Sequence, residues 1–149
     1  MTEIRPSRHQ PNQDGVEFAG PLRLSTVVAS APGIMAQSLR ATIESLPVTQ
    51  ILGMAAGCLS ALQMVRDGNA DLVVIDANLP FEDVQMFLQE LKNEHLPTQS
   101  LVLVNNGSHA RRALAAGADI VFRRDGSTRQ LGALVATLGR DWTESEPGL

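Results

Sequence analysis

The residue whose type and position best suit a chemical role is Asp76. It follows an unbroken apolar run at residues 72–75 and precedes a turn at Pro80. Such a run is typical of a strand that is covered on both faces of a parallel sheet. The carboxylate then emerges at the carboxyl edge of the strand, where open α/β sheets bind their ligands. An aspartate in this position also serves simply to begin a turn, so the motif alone leaves both interpretations open.

Composition restricts the class of protein further. The chain has 149 residues, 44% of them hydrophobic, which is enough for one domain with a real core. No apolar run approaches the roughly 18 residues of a transmembrane helix, and the polar N-terminus lacks the apolar centre of a secretory signal. A net charge of −4 and an aromatic content of 3% disfavour direct binding to nucleic acid. We therefore expect a globular domain that contacts neither membrane nor nucleic acid.

The cysteine and the histidines offer little further chemistry. With a single cysteine, Cys58, the chain can form no internal disulfide, and a cytoplasmic location is expected. The three histidines fall on separate predicted elements without the spacing of metal ligands. The sequence therefore predicts no metal site built from histidine.

Alternating strand and helix patterns supply the scaffold that must position Asp76. Helical periodicity recurs between the apolar runs, and the connecting loops are short. Such alternation requires right-handed crossovers and a parallel sheet with helices on both faces, so we predict an α/β fold with the flavodoxin-like strand order 2-1-3-4-5. The five strands are predicted at residues 22–29, 49–55, 72–75, 101–104 and 120–122.

The predicted helices each bury one apolar stripe. Ser108 is predicted to cap the fourth helix, Gly117 to close it, and Ser127 to open the fifth. The buried stripe of the first helix is predicted to contain Ile34, Met35, Leu39, Ile43 and Leu46. That of the second helix is predicted to contain Leu59, Leu62, Met64 and Val65.

Prolines and glycines interrupt every periodicity near the N-terminus, which predicts a flexible arm over residues 1–20. The folded domain is predicted over residues 21–142. Residues 143–149 are predicted to form a flexible tail.

Four segments together resemble one known family. They are VVASAPGIMAQSLRATIE, ILGMAAGCLSALQMVRDGNADLVVIDANLP, LVLVNN and ALAAGADIVFRRDG. In order and spacing they resemble the receiver domains of response regulators, which have the CheY-like fold, and most of all those of the NarL type. The resemblance covers residues 22–138 and implies a non-enzymatic module of bacterial two-component or transcription-regulatory signalling. It places the phosphoacceptor position on Asp76.

The chain departs from the receiver pattern at five positions. Ser30 and Ala31 stand where the family has an acid pair that helps to hold Mg²⁺, so magnesium binding is expected to be absent or weak. Asn105 replaces the switch hydroxyl, Val121 replaces the switch aromatic residue, and Arg124 replaces a lysine. Together these replacements predict a degenerate pseudo-receiver.

Four arginines are candidates for contacts. Arg124 could form a forked ion pair with Asp76, or it could be solvated like many surface arginines. The resemblance places a partner surface on the fourth helix, the fifth strand and the fifth helix. That surface carries Arg111, Arg112 and Arg123, which could dock an acidic partner or form an ordinary solvated face.

Three hypotheses of function remain open. The first is a phosphorylation-independent interaction module that binds a signalling or regulatory protein, with homodimerisation also considered. The second is a working phosphoacceptor at Asp76. The third is a small-molecule or nucleotide binder in the flavodoxin-like crevice, although the sequence contains neither GxGxxG nor GxxxxGK.

Overall fold

A computed structural model describes residues 23–145, and it describes the side chains of residues 23–138. Five strands alternate with five helices along this part of the chain. The strands are β1 (Leu24–Ala29), β2 (Thr49–Ala55), β3 (Leu72–Ile75), β4 (Gln99–Val104) and β5 (Ile120–Arg123). The helices are α1 (Ile34–Glu44), α2 (Cys58–Gly68), α3 (Phe81–Asn93), α4 (Gly107–Ala116) and α5 (Thr128–Ser145).

The five strands form one parallel sheet in the order β2-β1-β3-β4-β5, which confirms the predicted topology. The register aligns the carboxyl ends of the central strands. Ala29 of β1 pairs with Ile75 of β3, so the residues that follow these two strands emerge side by side. Every loop that leaves a strand at this edge therefore contributes to one region of the surface.

Side chains of the strands alternate between two core layers. Val73 packs in the layer formed with α2, α3 and α4, and Val74 packs in the layer formed with α1 and α5. All four residues of β3 are buried, which confirms that this strand is covered on both faces. The strand that leads to Asp76 is thus held rigidly from both sides.

The predicted buried stripes are wrong at the first turns of α1 and α2. Ile34, Met35 and Leu59 are 78%, 49% and 85% exposed. Ile34 lies nine residues before the buried Ile43, which at 3.6 residues per turn is about half a turn away, on the opposite side of the helix. Leu59 belongs to the first turn of α2, and the buried positions of that helix begin only at Ala61.

The helix ends confirm two of the three predicted caps. Ser127 Oγ accepts a hydrogen bond from Gln130 N at 3.1 Å, and Gln130 Oε1 accepts one from Ser127 N at 3.0 Å, which is a capping box. Gly117 closes α4 with a φ of 116°, as predicted. The prediction for Ser108 is wrong, because Asn106 caps α4 through a hydrogen bond from His109 N at 2.8 Å.

The predicted arm at residues 1–20 lies outside the described residues, as do residues 146–149 of the predicted tail. Helix α5 includes residues 143–145, so it extends past the predicted start of that tail. Pro147 is the first proline after α5 begins, so no proline forces the helix to end earlier. Among the described helices, none is long and apolar enough to cross a membrane.

Candidate functional site

Four of the predicted site residues lie at the carboxyl edge of the sheet, and three of them, Ser30, Asp76 and Arg124, are in contact. Each of the four directly follows the last residue of a strand: Ser30 follows β1, Asp76 follows β3, Asn105 follows β4 and Arg124 follows β5. The backbone N–H of Asp76 donates to Ala29 O at 2.9 Å, which fixes the start of the β3–α3 loop against β1. Asp76 therefore contacts Ser30, which lies 46 positions before it in the sequence, and Arg124, which lies 48 positions after it.

Both oxygens of the Asp76 carboxylate have donors. Ser30 Oγ donates to Oδ2 at 2.7 Å, and Arg124 Nη1 donates to Oδ1. The ion pair between Arg124 and Asp76 is thus present, as a single contact and not as the predicted fork. The serine that stands at the position of a receiver acid occupies the second oxygen.

The burial of this ion pair decides its energetic role. The Asp76 side chain is 0% exposed and the Arg124 side chain is 23% exposed. A buried carboxylate is costly unless it is paired and hydrogen-bonded, and removal of one partner leaves an uncompensated charge. Arg124 and Ser30 therefore act as the internal counter-groups that allow Asp76 to be ionised inside the fold.

Asn78 ties two loops together at the same edge. Its Oδ1 accepts a hydrogen bond from Ala31 N at 3.2 Å, and its Nδ2 donates to Ser30 Oγ at 3.4 Å. The predicted position Ala31 thus contributes its backbone N–H to the site, since its side chain offers no polar atom. Asn78 was missed by the sequence reasoning, although its place in the DANLP turn beside Asp76 was a usable signal.

A second group of side chains surrounds the start of α4. The backbone N–H of Asn105 donates to His109 Nδ1 at 3.3 Å. The His109 ring meets the Phe81 ring edge-on with centroids 6.0 Å apart, and the Arg112 guanidinium lies 4.1 Å from the centroid of Phe81. Burial of His109 lowers the pKa of its imidazole, and the nearby charge of Arg112 lowers it further. His109 and Phe81 were not predicted as site residues.

The two central residues of β5 point to opposite faces, as predicted. Val121 packs in the layer with α2, α3 and α4, while Phe122 packs in the layer with α1 and α5. The aromatic ring of Phe122 is therefore directed away from the layer in which the receiver pattern places its switch aromatic residue.

The three arginines of the predicted partner surface have different surroundings. Arg111 is exposed. Arg112 lies over the ring of Phe81, the first residue of α3. Arg123 Nη2 lies 3.3 Å from Asp125 Oδ2, where its charge is partly compensated. They do not form one uniform basic patch.

Comparison with known proteins bears on the fold. No protein-family model and no curated protein matches this sequence. Solved structures do match. The signal receiver domain of the response regulator NarL from Mycobacterium tuberculosis is 17% identical with a TM-score of 0.72, over 80% of this chain and 98% of that one.

Two further structures are similar. A DNA-binding response regulator of the LuxR family from Staphylococcus aureus is 17% identical with a TM-score of 0.69, over 78% of this chain and 98% of that one. The receiver domain of the Francisella response regulator 1452 is 21% identical with a TM-score of 0.68, over 80% of this chain and 98% of that one. The chain has the fold of a response-regulator receiver domain. This confirms the fold that the four sequence segments implied.

The receiver fold raises the question of Mg²⁺, and the residues present do not fit this ion. Mg²⁺ requires several oxygen ligands at short range, with carboxylates supplying most of the charge. After β1 the chain offers one hydroxyl from Ser30, which already donates to Asp76. Within residues 23–145, no three His, Cys, Asp or Glu side chains lie together in a way that could hold a metal.

Proposed function

We propose that this receiver fold is a cytoplasmic signalling module that works through protein-protein contacts and independently of phosphorylation. The observation that carries the proposal is the state of the Asp76 carboxylate. Its two oxygens are engaged by Arg124 and Ser30, and its side chain is fully buried. On this proposal Arg124 permanently provides the partner that a phosphorylated aspartate would acquire only transiently.

The chemistry of phosphoryl transfer supports this proposal. The attacking oxygen must be free to approach the phosphorus atom in line, and a cation must neutralise the equatorial oxygens. At this site Asp76 would first have to give up a charge-assisted hydrogen bond, each of which contributes about 1.5–3 kcal/mol. Ser30 and Ala31 cannot then supply the carboxylates that gather Mg²⁺.

The residues that normally respond to phosphorylation also support it. Asn105 has no hydroxyl, and its side chain is exposed beside the start of α4. Val121 has no ring that could move between an exposed and a buried position. We infer that the surface formed by α4, β5 and α5 is held in one state instead of being switched by Asp76.

The test is incubation of the full chain with acetyl phosphate, or with a beryllofluoride mixture, in the presence of millimolar Mg²⁺. We expect no saturable change in the amide chemical shifts near Asp76, Asn105 and Arg124. The matched positive control is the double variant Ser30→Asp, Ala31→Asp, which rebuilds the acid pair and should regain metal affinity. Adding Arg124→Lys then tests whether the guanidinium is the remaining obstacle. A saturable, Mg²⁺-dependent shift in the wild type that Asp76→Ala removes would refute the proposal.

The alternative candidate is a phosphoacceptor receiver that uses Asp76. Two observations favour it, namely that the carboxylate stands directly after β3 and that Arg124 is 23% exposed, so its guanidinium has a path to solvent. Phosphorylation would then require Arg124 to leave. A third candidate, a nucleotide or small-molecule binder, has less support, because the crevice above β1 and β3 is bridged by the Ser30–Asp76 hydrogen bond.

The proposed partner is a signalling or regulatory protein that contacts α4, β5 and α5. Arg111 and Arg123 are two of the exposed positive charges on this surface. Reversing both charges should weaken the complex, and the effect should shrink as salt is added. The partner can also be a second copy of this chain, which analytical ultracentrifugation would reveal. Binding that is unaffected by both salt and charge reversal would place the interface elsewhere.

A further inference from the structure

A cleft of about 360 Å³ lies between the β3–α3 loop and the first turns of α4. Its polar lining consists of Asn106, Ser108, His109 and Arg112. The rest of the lining is apolar and includes Phe81. None of the side chains that line the cleft carries a carboxylate, so its charge is positive.

Arg112 is the permanent cation of this cleft, and it is already positioned. Its guanidinium lies over the Phe81 ring, 4.1 Å from the centroid, and stacking of this kind leaves the N–H groups at the guanidinium edge free. Arg40, Arg124 and two other arginines of the described chain pair with a carboxylate. Among the described side chains, Arg112 has an aromatic ring as its partner and no acid within salt-bridge distance.

His109 adds a neutral donor beside that cation. Its Nδ1 accepts the hydrogen bond from Asn105 N, so the neutral imidazole carries its proton on Nε2. Burial lowers the pKa of His109, which favours the neutral form of the ring at neutral pH. The cleft therefore offers one full positive charge, which matches one negative charge on a ligand.

We propose that this cleft binds the carboxylate of an aspartate or glutamate side chain on a partner protein, with Arg112 as the anchor. A planar guanidinium with a free edge fits a carboxylate with two hydrogen bonds. The net charge of −4 opposes polyanionic surfaces such as nucleic acid or an anionic membrane, and a single carboxylate is repelled least. The inference rests on the proposed interaction function and gives the chemistry of the partner.

The probe is a short acetylated and amidated peptide with one central glutamate flanked by glycine and serine, titrated into the isotope-labelled full chain. We expect saturable chemical-shift changes at Ala77, Leu79, His109 and Arg112. The same peptide with glutamine in place of glutamate should bind about tenfold more weakly, because it loses a charge-assisted bidentate pair. Equal binding of the two peptides would overturn the proposal. Tighter binding of inorganic phosphate than of the glutamate peptide would overturn the assignment to a carboxylate.

Variants on α4 and α3 localise the site. Arg112→Gln should weaken the glutamate peptide about tenfold, and Arg112→Lys, which keeps the charge and loses the planar fork, should give an intermediate loss. Lys92→Gln is the control, because it removes an equal charge from the exposed last turn of α3, outside both the cleft and the proposed partner surface. Phe81→Leu should weaken binding less than Arg112→Gln, since it removes only the stack that holds the guanidinium.

Equal losses for Lys92→Gln and Arg112→Gln would show a diffuse charge effect and refute the site. All variants are compared by their amide spectra, so a loss of fold is recognised directly. Because no step of this experiment involves phosphorylation, its failure leaves the proposal about Asp76 standing. A positive phosphorylation test would likewise leave the cleft to be judged on its own titration.

Discussion

Two arginines on the same side of the molecule have opposite surroundings. Arg124 reaches into the carboxyl edge of the sheet and pairs with a buried carboxylate, whereas Arg112 lies on the flat face of Phe81. The first arginine is bound by a charge within the chain. The second is held in place by a neutral ring, so its hydrogen-bonding capacity remains available.

The difference separates a site whose charged groups are paired within the chain from a site whose cation is available to a partner. At Asp76 each polar group has its partner within the chain, because a buried charge without a partner would strongly destabilise the fold. At the cleft beside α4 the cation is partly solvated, so it can remain without an acid at little cost. On the proposed phosphorylation-independent function, Asp76 has a structural role and recognition is carried by neighbouring surfaces.

The largest expected effect is that of removing Arg124. Arg124→Ala should destabilise the fold by about 3 kcal/mol, because it leaves the Asp76 carboxylate buried without a counter-charge. Urea unfolding followed by circular dichroism measures this change. Arg123→Ala is the matched control, since its partner Asp125 is exposed and such pairs contribute about 0–1 kcal/mol.

Adding Asp76→Asn to Arg124→Ala should recover part of the lost stability, because the neutral amide no longer needs a counter-charge. The double-mutant cycle gives the coupling between the two residues. A coupling near zero would show that Asp76 and Arg124 do not depend on each other, and the contrast with Arg112 would be lost.

The next largest effect is expected at Ser30, which is 2% exposed. Ser30→Ala removes the donor to Asp76 Oδ2 and should cost about 1.5–3 kcal/mol, the range for hydrogen bonds to charged groups. The same unfolding measurement applies. Ser38→Ala on the exposed part of α1 is the control and should change stability by less than about 0.5 kcal/mol. Similar values for the two variants would mean that Arg124 alone satisfies the carboxylate.

Much of the fold could be predicted from the sequence, because its main features follow from local patterns. Buried parallel strands are continuous apolar runs, and the run before Asp76 identified β3 and its carboxyl edge directly. Once the topology was fixed, Ser30 and Arg124 had to lie near Asp76. The proximity of Arg124 to Asp76 therefore followed from the strand order. Whether the ion pair has one hydrogen bond or two could not be predicted in this way.

Other features depend on packing between distant elements and have no local signature. Phe81 begins α3 and Arg112 lies in α4, so their stacking depends on how the two helices approach each other. Ile34 and Leu59 are apolar and suit an amphipathic pattern, yet they lie in first turns that no neighbouring element covers. Periodicity predicts which side of a helix is apolar but not how far along the helix the core extends.

Removing Arg112 should have a smaller effect on stability than either change at the carboxyl edge. Arg112→Gln loses a cation-π contact at an exposed site, which contributes about 0.5–1 kcal/mol. The affinity of this variant for the glutamate peptide should nevertheless fall, so Arg112→Gln should reduce peptide binding much more than folding stability. Urea unfolding of Arg112→Gln beside Arg124→Ala measures the difference. A loss as large as that of Arg124→Ala would mean that Arg112 is structural and would remove the basis for an external partner.

The smallest expected effect is a pH dependence that originates at His109. The pKa of this imidazole is lowered from 6.5 by burial first and by the charge of Arg112 second. The folded state therefore disfavours protonation of His109. The stability that depends on the neutral imidazole is fully present above pH 6.5 and is lost as the pH falls through the lowered pKa. Protonation would also place an N–H on Nδ1, where Asn105 N already donates.

The measurement is urea unfolding at neutral pH and at a pH below the ordinary histidine range, with His109→Gln compared with the wild type. The variant should lose less stability on acidification, because the group that takes up the extra proton in the unfolded state is gone. His95→Asn is the control at the end of α3, where the backbone has a φ of 55° that asparagine adopts readily. The control should retain the wild-type dependence. If His95→Asn abolished the dependence and His109→Gln preserved it, the imidazole beside the cleft would not be the titrating group, and its role as a neutral donor next to Arg112 would have to be given up.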